Sequence, residues 1–282
     1  MAQLDLSTEV GRLIVRARDE DLAAAALEPA LAAFLEGRSV GLSVELCGRP
    51  GWLKGGPPRG SAALRYGLRW RLARRAPPRG REYANLSWLE ARLFRVAAPL
   101  ACGWILRGAR LRFQFLVTAL SEDARPLESI LDESTPSERA GLVDELARES
   151  ARMHALSFVH RDLYLRNVLV LPAHVGPGDP RRLVFIDAWR GGPHHVGRGP
   201  AYDLGCLMLE GASVLTREEQ ARFVHGYLEE RSGQGKPARA QSLLRSAERA
   251  RASLLARARR EPGRWRLDEP PAPNWDGRGL IV

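Results

Sequence analysis

The stretch HRDLYLRNVLV, His160 to Val170, crowds a cationic pair, an acid, a tyrosine and an amide into eight residues and then runs directly into an apolar strand. Asp162 and Asn167 lie five apart in what reads as a loop between a helix and that strand. Asp187 ends the next apolar run, RLVFID. Transfer of a phosphoryl group needs a carboxylate to orient the attacking hydroxyl and oxygen ligands to hold Mg2+ on the nucleotide phosphates. These three residues supply that set.

The flanking sequence supports a loop held between regular elements. Upstream, Thr135, Pro136 and Glu138 form a capping box with proline at the first helical position, and Leu142, Val143, Leu146 and Met153 mark the core-facing side of the helix that follows. Downstream, NVLVLP and RLVFID read as short strands separated by a Gly/Pro loop. A helix is expected from about Ala201 to Leu215, and a second one opens on a capping box of Thr216 with Glu219. SGQGKP breaks the pattern, an Arg/Ala-rich helix runs to about Arg260, and a Pro-rich tail over 262–282 closes the chain.

The N-terminal part reads differently. RLIVRA is a β-branched run, a helical stretch follows from about Asp21 to Leu35, and GLSVELCGRPGWLKGG alternates around a Gly/Pro turn as a hairpin ending near Lys54. The segment from Pro57 to Arg81 is dominated by Arg, Pro and Gly and is expected to be a loop or partly ordered connection. In REYANLSWLEARLF the residues Tyr83, Leu86, Leu89 and Leu93 share one helical face. RFQFLVTAL then reads as a strand, and SEDARPLESI as a polar linker.

Composition bounds the class. A chain of 282 residues with 45% hydrophobic content can bury a real core. Cys47, Cys102 and Cys206 are odd in number and far apart, which argues for buried thiols in a reducing compartment rather than a disulfide framework. No apolar run approaches the ~20 residues that span a bilayer, and the N-terminus lacks a leader pattern, so the expected location is cytoplasmic. The net charge of +10, carried almost wholly by arginine, favours an anionic partner. Arg65, Arg69, Arg71, Arg74, Arg75, Arg79 and Arg81, interleaved with Trp70, form a basic tract suited to an anionic membrane surface with Trp70 at the headgroup level. No base-reading module accompanies it, so nucleic acid is not expected as a partner.

The spacing H-R-D-x-x-x-x-N, followed by a strand, a turn and a strand ending in Asp, resembles the protein-kinase superfamily. Together with FIDAWRGG, WLKGG and REYANLSWL, the loop looks most like the bacterial lipopolysaccharide kinases, the Kdo and heptose kinases that phosphorylate inner-core sugars. The similarity runs from about Cys47 to Leu215. It implies an α+β, two-lobed protein-kinase-like fold, with a small antiparallel β lobe over 1–120 and a larger helical lobe over 121–282. It also implies ATP and Mg2+ as cofactors, an anionic lipid-linked sugar as acceptor, and peripheral contact at the cytoplasmic face of the inner membrane.

Residue by residue, the resemblance makes Lys54, one of two lysines in the chain, the strand lysine on the ATP phosphates, held by Glu82. Asp162 orients the acceptor hydroxyl or takes its proton, Asn167 and Asp187 hold Mg2+, His160 braces the loop, and Arg166 reaches the transferring phosphoryl. Asp203 accepts hydrogen bonds from loop amides. Arg190, His194, His195 and Arg198 form a cationic edge for an acidic acceptor, with ordinary solvated charge as the bland alternative.

The chain departs from protein kinases in three places. No G-x-G-x-x-G precedes Lys54, Gly37 and Gly41 being wrongly spaced. DAW stands for D-F-G, with Trp189 either beside the metal site or in the core. The segment from Asp187 to Asp203 is short, with Tyr202 its sole phosphorylatable residue. Two rivals stay open: a kinase for another small molecule or a protein, and an inactive pseudokinase scaffold.

Overall fold

The computed structural model describes residues 1–119, 123–172, 181–193 and 199–260. Its chain divides into two compact units, Met1–Glu122 and Asp123–Val282.

The first unit is built on a six-stranded antiparallel sheet. In chain order it contains β1 (Ala2–Thr8), β2 (Gly11–Ala17), α1 (Glu20–Ala25), α2 (Leu27–Leu35), β3 (Val40–Leu46), β4 (Arg49–Gly56), α3 (Ala62–Ala73), α4 (Pro78–Glu90), β5 (Pro99–Arg107) and β6 (Arg110–Ala119). The strand order is β1-β2-β5-β6-β4-β3. Leu13, Val15, Leu53, Phe113, Phe115 and Val117 point from the sheet onto the alanines of α1 and α2, Ala23, Ala26, Ala30 and Ala33, to form one core cluster. Small residues on the helices let them lie close to the pleat, and the large side chains come from the strands. The β3–β4 hairpin turns on Cys47 and Gly48, both at positive φ, the two-residue geometry whose twist matches the flanking strands.

This unit corrects several expectations. The segment from Pro57 to Arg81 is not a loop: it forms α3 and the start of α4. Ala, Leu and Arg, which make up most of α3, favour helix, and tertiary packing sets where that helix lies. Trp70 is buried with its ring 4.8 Å from that of Trp104 on β5, edge to face. Gly67 lets α3 rest on the β5–β6 turn, because a Cβ there would stand 2.1 Å from the Ala109 carbonyl oxygen. A buried Trp70 cannot sit among lipid headgroups, so that part of the membrane expectation falls. Leu93 does not share the α4 face: the helix ends at Glu90, and Leu93 is 73% exposed at positive φ. The helix expected over Asp21 to Leu35 is two helices meeting at Ala26. Cys47 is exposed in its turn, whereas Cys102 and Cys206 are buried, with burial pushing both thiols up.

The second unit is mainly helical. It contains β7 (Arg125–Pro126), α5 (Leu127–Glu133), α6 (Pro136–Ala155), β8 (Phe158–Val159), β9 (Val168–Val170), β10 (Leu183–Phe185), β11 (Gly192–Pro193), α7 (Gly199–Val214), α8 (Arg217–Gly233) and α9 (Ala240–Arg260). Part of the expected linker SEDARPLESI is therefore β7 and α5. Both capping boxes are formed, Thr135 with Glu138 and Thr216 with Glu219. Glu219 also binds Arg139 at 2.6 Å, which joins the start of α8 to α6. Leu142, Val143, Leu146 and Met153 are buried on α6. The Pro-rich tail lies outside the described residues.

Candidate active site

In the first unit the strand register decides where Lys54 points. Leu53 enters the core under α1 and α2, so by the two-residue period of a strand Lys54 faces the other side of the sheet, directly across from Leu116 of β6. That is the side on which α4 carries Glu82. The Lys54 ammonium meets Glu82 Oε1 at 2.5 Å, and the Arg79 guanidinium, one turn earlier on α4, meets Glu82 Oε2 at 2.7 Å. Glu82 is fully buried. A buried carboxylate is tolerated when both oxygens are paired, and here two cations share it. Arg79 is a partner that composition alone hid among the basic tract, although its spacing of three from Glu82 on a helix was the available signal. The chain enters β3 from helix α2 and not from another strand, so no glycine-rich hairpin turn lies immediately upstream of β3.

Glu82→Ala would take from Lys54 and Arg79, whose side chains are 19% and 28% exposed, the carboxylate they share. The expected loss is about 2 kcal/mol of stability in this unit, below the range for a wholly buried pair because water reaches both cations. Urea unfolding followed by tryptophan fluorescence measures it.

In the second unit the opening stretch of the sequence becomes a tightly bonded loop. Asp203, near the start of α7, is fully buried; its Oδ2 accepts from the His160 amide and its Oδ1 from the Arg161 amide, each at 2.6 Å. His154 of α6 places Nε2 3.0 Å from Asp203 Oδ2 and Nδ1 2.7 Å from the Tyr227 hydroxyl of α8. Asp203 of α7 thus holds the loop, backed by His154 of α6, which Tyr227 of α8 supports in turn, and Arg161 is kept at φ 64°. The His160 ring is buried against Phe185, and burial lowers its pKa, so it is a neutral brace at pH 7.

Past the brace, Asn167 donates from its side-chain amide to the Asp162 carbonyl at 2.8 Å. Its own carbonyl accepts from the Ile186 amide at 3.1 Å, which extends the β9–β10 ladder by one bond and carries the chain to Asp187. Asp187 lies two residues beyond β10 in left-handed conformation, φ 60°. The start of β10 is pinned from α6, where Glu145 Oε1 accepts from the Arg182 and Leu183 amides at 2.8 and 2.9 Å.

The Asp162 carboxyl is pushed up to about 6, first by burial, with the Arg190 charge opposing and the Asp187 charge adding to the rise. Burial and the Asp187 charge thus both disfavour the ionised Asp162 carboxylate, which added positive charge would favour. Asp187 and the Asn167 amide offer the oxygen donors Mg2+ prefers, so these residue types fit that ion, with nucleotide phosphates as the further donors it would need. Among the described residues no group of three or more His, Cys, Asp or Glu could hold a metal by itself.

Arg166 has partners that the sequence reading did not name. Its guanidinium forms an ion pair with Glu210 of α7 and lies over the Tyr164 ring, 4.1 Å from the centroid. Glu210 is two helical turns from Asp203, so one face of α7 holds both ends of the loop. Trp189 is half-buried with the Arg190 guanidinium 4.6 Å from its ring centroid. Tyr202 is buried at 3% exposure, which removes it as a phosphorylation switch. His194, His195 and Arg198 lie outside the described residues.

Comparison with known proteins adds to this geometry. The family model described as the lipopolysaccharide kinase (Kdo/WaaP) family matches residues 65–227, more than half of the chain. No curated protein matches the sequence significantly. Among solved structures, one described as "WaaP in complex with acyl carrier protein" is similar at 21% identity and a TM-score of 0.55, over 85% of this chain and 98% of that one. Another, "Glucosamine kinase in complex with glucosamine, ADP and inorganic phosphate", is similar at 14% identity and a TM-score of 0.50, over 91% of this chain and 88% of that one. At these identities the likeness speaks for the kinase-like fold.

Proposed function

The chain belongs to the lipopolysaccharide kinase (Kdo/WaaP) family, and from that membership we propose that it transfers the γ-phosphoryl group of ATP to a sugar hydroxyl of a lipopolysaccharide inner-core precursor. The observation that carries this reading is the loop from His160 to Asn167 braced on Asp203, which brings Asp162 and Asn167 together and links Asn167 to the strand end before Asp187.

The roles follow from the local chemistry. Asp162, its pKa raised toward neutrality, accepts the proton of the acceptor hydroxyl as the oxygen bonds to the γ-phosphorus and the bridging bond to ADP breaks. Asn167 and Asp187 would hold Mg2+, which would supply positive charge against the nucleotide phosphates. Lys54, fixed by Glu82, binds the nucleotide phosphates as a point charge. Arg166, anchored by Glu210, lends positive charge to the transferring group. No covalent enzyme intermediate is required, since positioning and electrostatics suffice for this reaction. The Arg190 charge beside Asp162 suits an acceptor that carries carboxylates or phosphates.

A base with a pKa near 6 sets the acid limb of the rate profile. Only ionised Asp162 can take the proton, so kcat/KM is expected to fall about tenfold per pH unit below roughly pH 6 and to level off above it. A flat profile down to pH 5 would remove Asp162 as the base.

The acceptor is tested by transfer of labelled phosphate from ATP to core lipopolysaccharide, free sugars including glucosamine, and a generic protein. Label entering lipopolysaccharide supports the acceptor proposed. Label confined to a free sugar or to protein keeps the kinase and replaces its acceptor, and no transfer to any of them favours an inactive scaffold.

A further inference from the structure

Helix α3 has two unlike faces. Gly67 and Trp70 bury one of them against the sheet. At about 100° per residue, Leu64, Leu68 and Leu72 fall within an arc of about 80° on the far side. They are 42%, 38% and 83% exposed. An isolated exposed leucine is ordinary, but a row repeated every four residues is an apolar stripe turned to solvent. Arg65 and Arg69 border the stripe on one side and Arg71 on the other, all exposed. From Pro57 to Arg81 the chain has no Asp or Glu, so no internal acid neutralises the helix surface from within its own segment.

We propose that this face of α3 docks on the surface of an anionic phospholipid bilayer. The three leucines sink below the headgroups while the flanking guanidinium groups bind lipid phosphates, for which their planar fork is suited. Twelve residues cannot cross a bilayer, so the helix lies in the interface plane. Among the described residues no helix is long and apolar enough to span one. Uniform positive charge around an apolar stripe matches a surface that is uniformly negative outside and apolar beneath. A nucleic acid would use the arginines and leave the leucines in water. This docking rests on α3 alone and not on the acceptor assigned above. It also replaces Trp70, which is buried, with the leucine row as the apolar contact.

The test is co-sedimentation of the full chain with vesicles of equal parts phosphatidylglycerol and phosphatidylcholine, and with phosphatidylcholine alone. Wild type is expected to bind the mixed vesicles and not the neutral ones. Leu64→Gln/Leu68→Gln/Leu72→Gln and Arg65→Gln/Arg69→Gln/Arg71→Gln should each weaken binding about tenfold or more. The control Arg257→Gln/Arg260→Gln removes charge from α9 and should bind as wild type does. All of these positions are at the surface or nearly so, and unchanged thermal unfolding shows that the variants fold. Phosphotransfer to a soluble acceptor should be unchanged in the leucine variant, which separates failure of docking from failure of the kinase reading. The proposal is overturned if wild type ignores anionic vesicles while binding RNA or an acidic protein, or if the leucine variant binds as well as wild type.

Discussion

Asp162→Asn is expected to lower phosphoryl transfer about a thousandfold and, at neutral pH, to make the second unit more stable rather than less. The rate loss follows from removing a positioned base, an effect typically between 10²- and 10⁴-fold. The gain in stability follows from the raised pKa. Asp162 holds its proton up to about pH 6 in the folded chain, whereas an unfolded aspartate ionises near 4. Its contribution to stability is therefore fully present below about pH 4 and is lost as pH rises through 6, where the folded state must carry a buried carboxylate that the unfolded state carries in water. Asparagine never pays that penalty. After allowance for the opposing Arg190 charge and partial exposure to water, the gain is about 1–2 kcal/mol at pH 7 and disappears near pH 4. Denaturant unfolding at the two pH values measures it. A variant less stable than wild type at pH 7 would contradict the assignment of Asp162 as a strained functional carboxylate.

Asp203→Ala is expected to be the most destabilising single change in the second unit. It strands two loop amides and the His154 imidazole, groups that now converge on one buried carboxylate. Each unsatisfied buried donor costs about 1–3 kcal/mol, so a total near 4 kcal/mol is expected. The protein that still folds should be about a hundredfold slower, because Arg161 at positive φ relaxes once its amide is released, and Asp162 moves with it. Tyr227→Phe tests the outer end of the chain of contacts. It removes one hydroxyl from His154 and should cost about 1 kcal/mol with little effect on rate.

The sequence made the loop legible because its chemistry is local: Asp162 and Asn167 lie in one short segment, and the helix before it announces itself by its capping box. Lys54 and Glu82 are far apart in the chain, and only the family resemblance paired them. Strand β5 escaped notice because PLACGWILR is buried along nearly its whole length and shows no alternation. Strand β1 escaped because it is largely exposed. Helix α3 was hidden by the Pro and Gly residues around it and by Gly67, although its Ala, Leu and Arg content favours helix; where it rests, with Trp70 on Trp104 and Gly67 against the Ala109 carbonyl, is a tertiary fact. Glu210 could have been suspected from its spacing of seven from Asp203, which puts both on one face of α7. What it grips was a tertiary fact.

The most direct test of the account is incubation of wild-type and Asp187→Asn protein with ATP, Mg2+ and core lipopolysaccharide lacking its phosphates, followed by mass analysis of the core sugars. The account predicts one added phosphate on a core sugar with wild type, dependent on Mg2+ and absent with Asp187→Asn. Phosphate added equally well by Asp187→Asn, or no phosphate added by wild type under any metal condition, would contradict it.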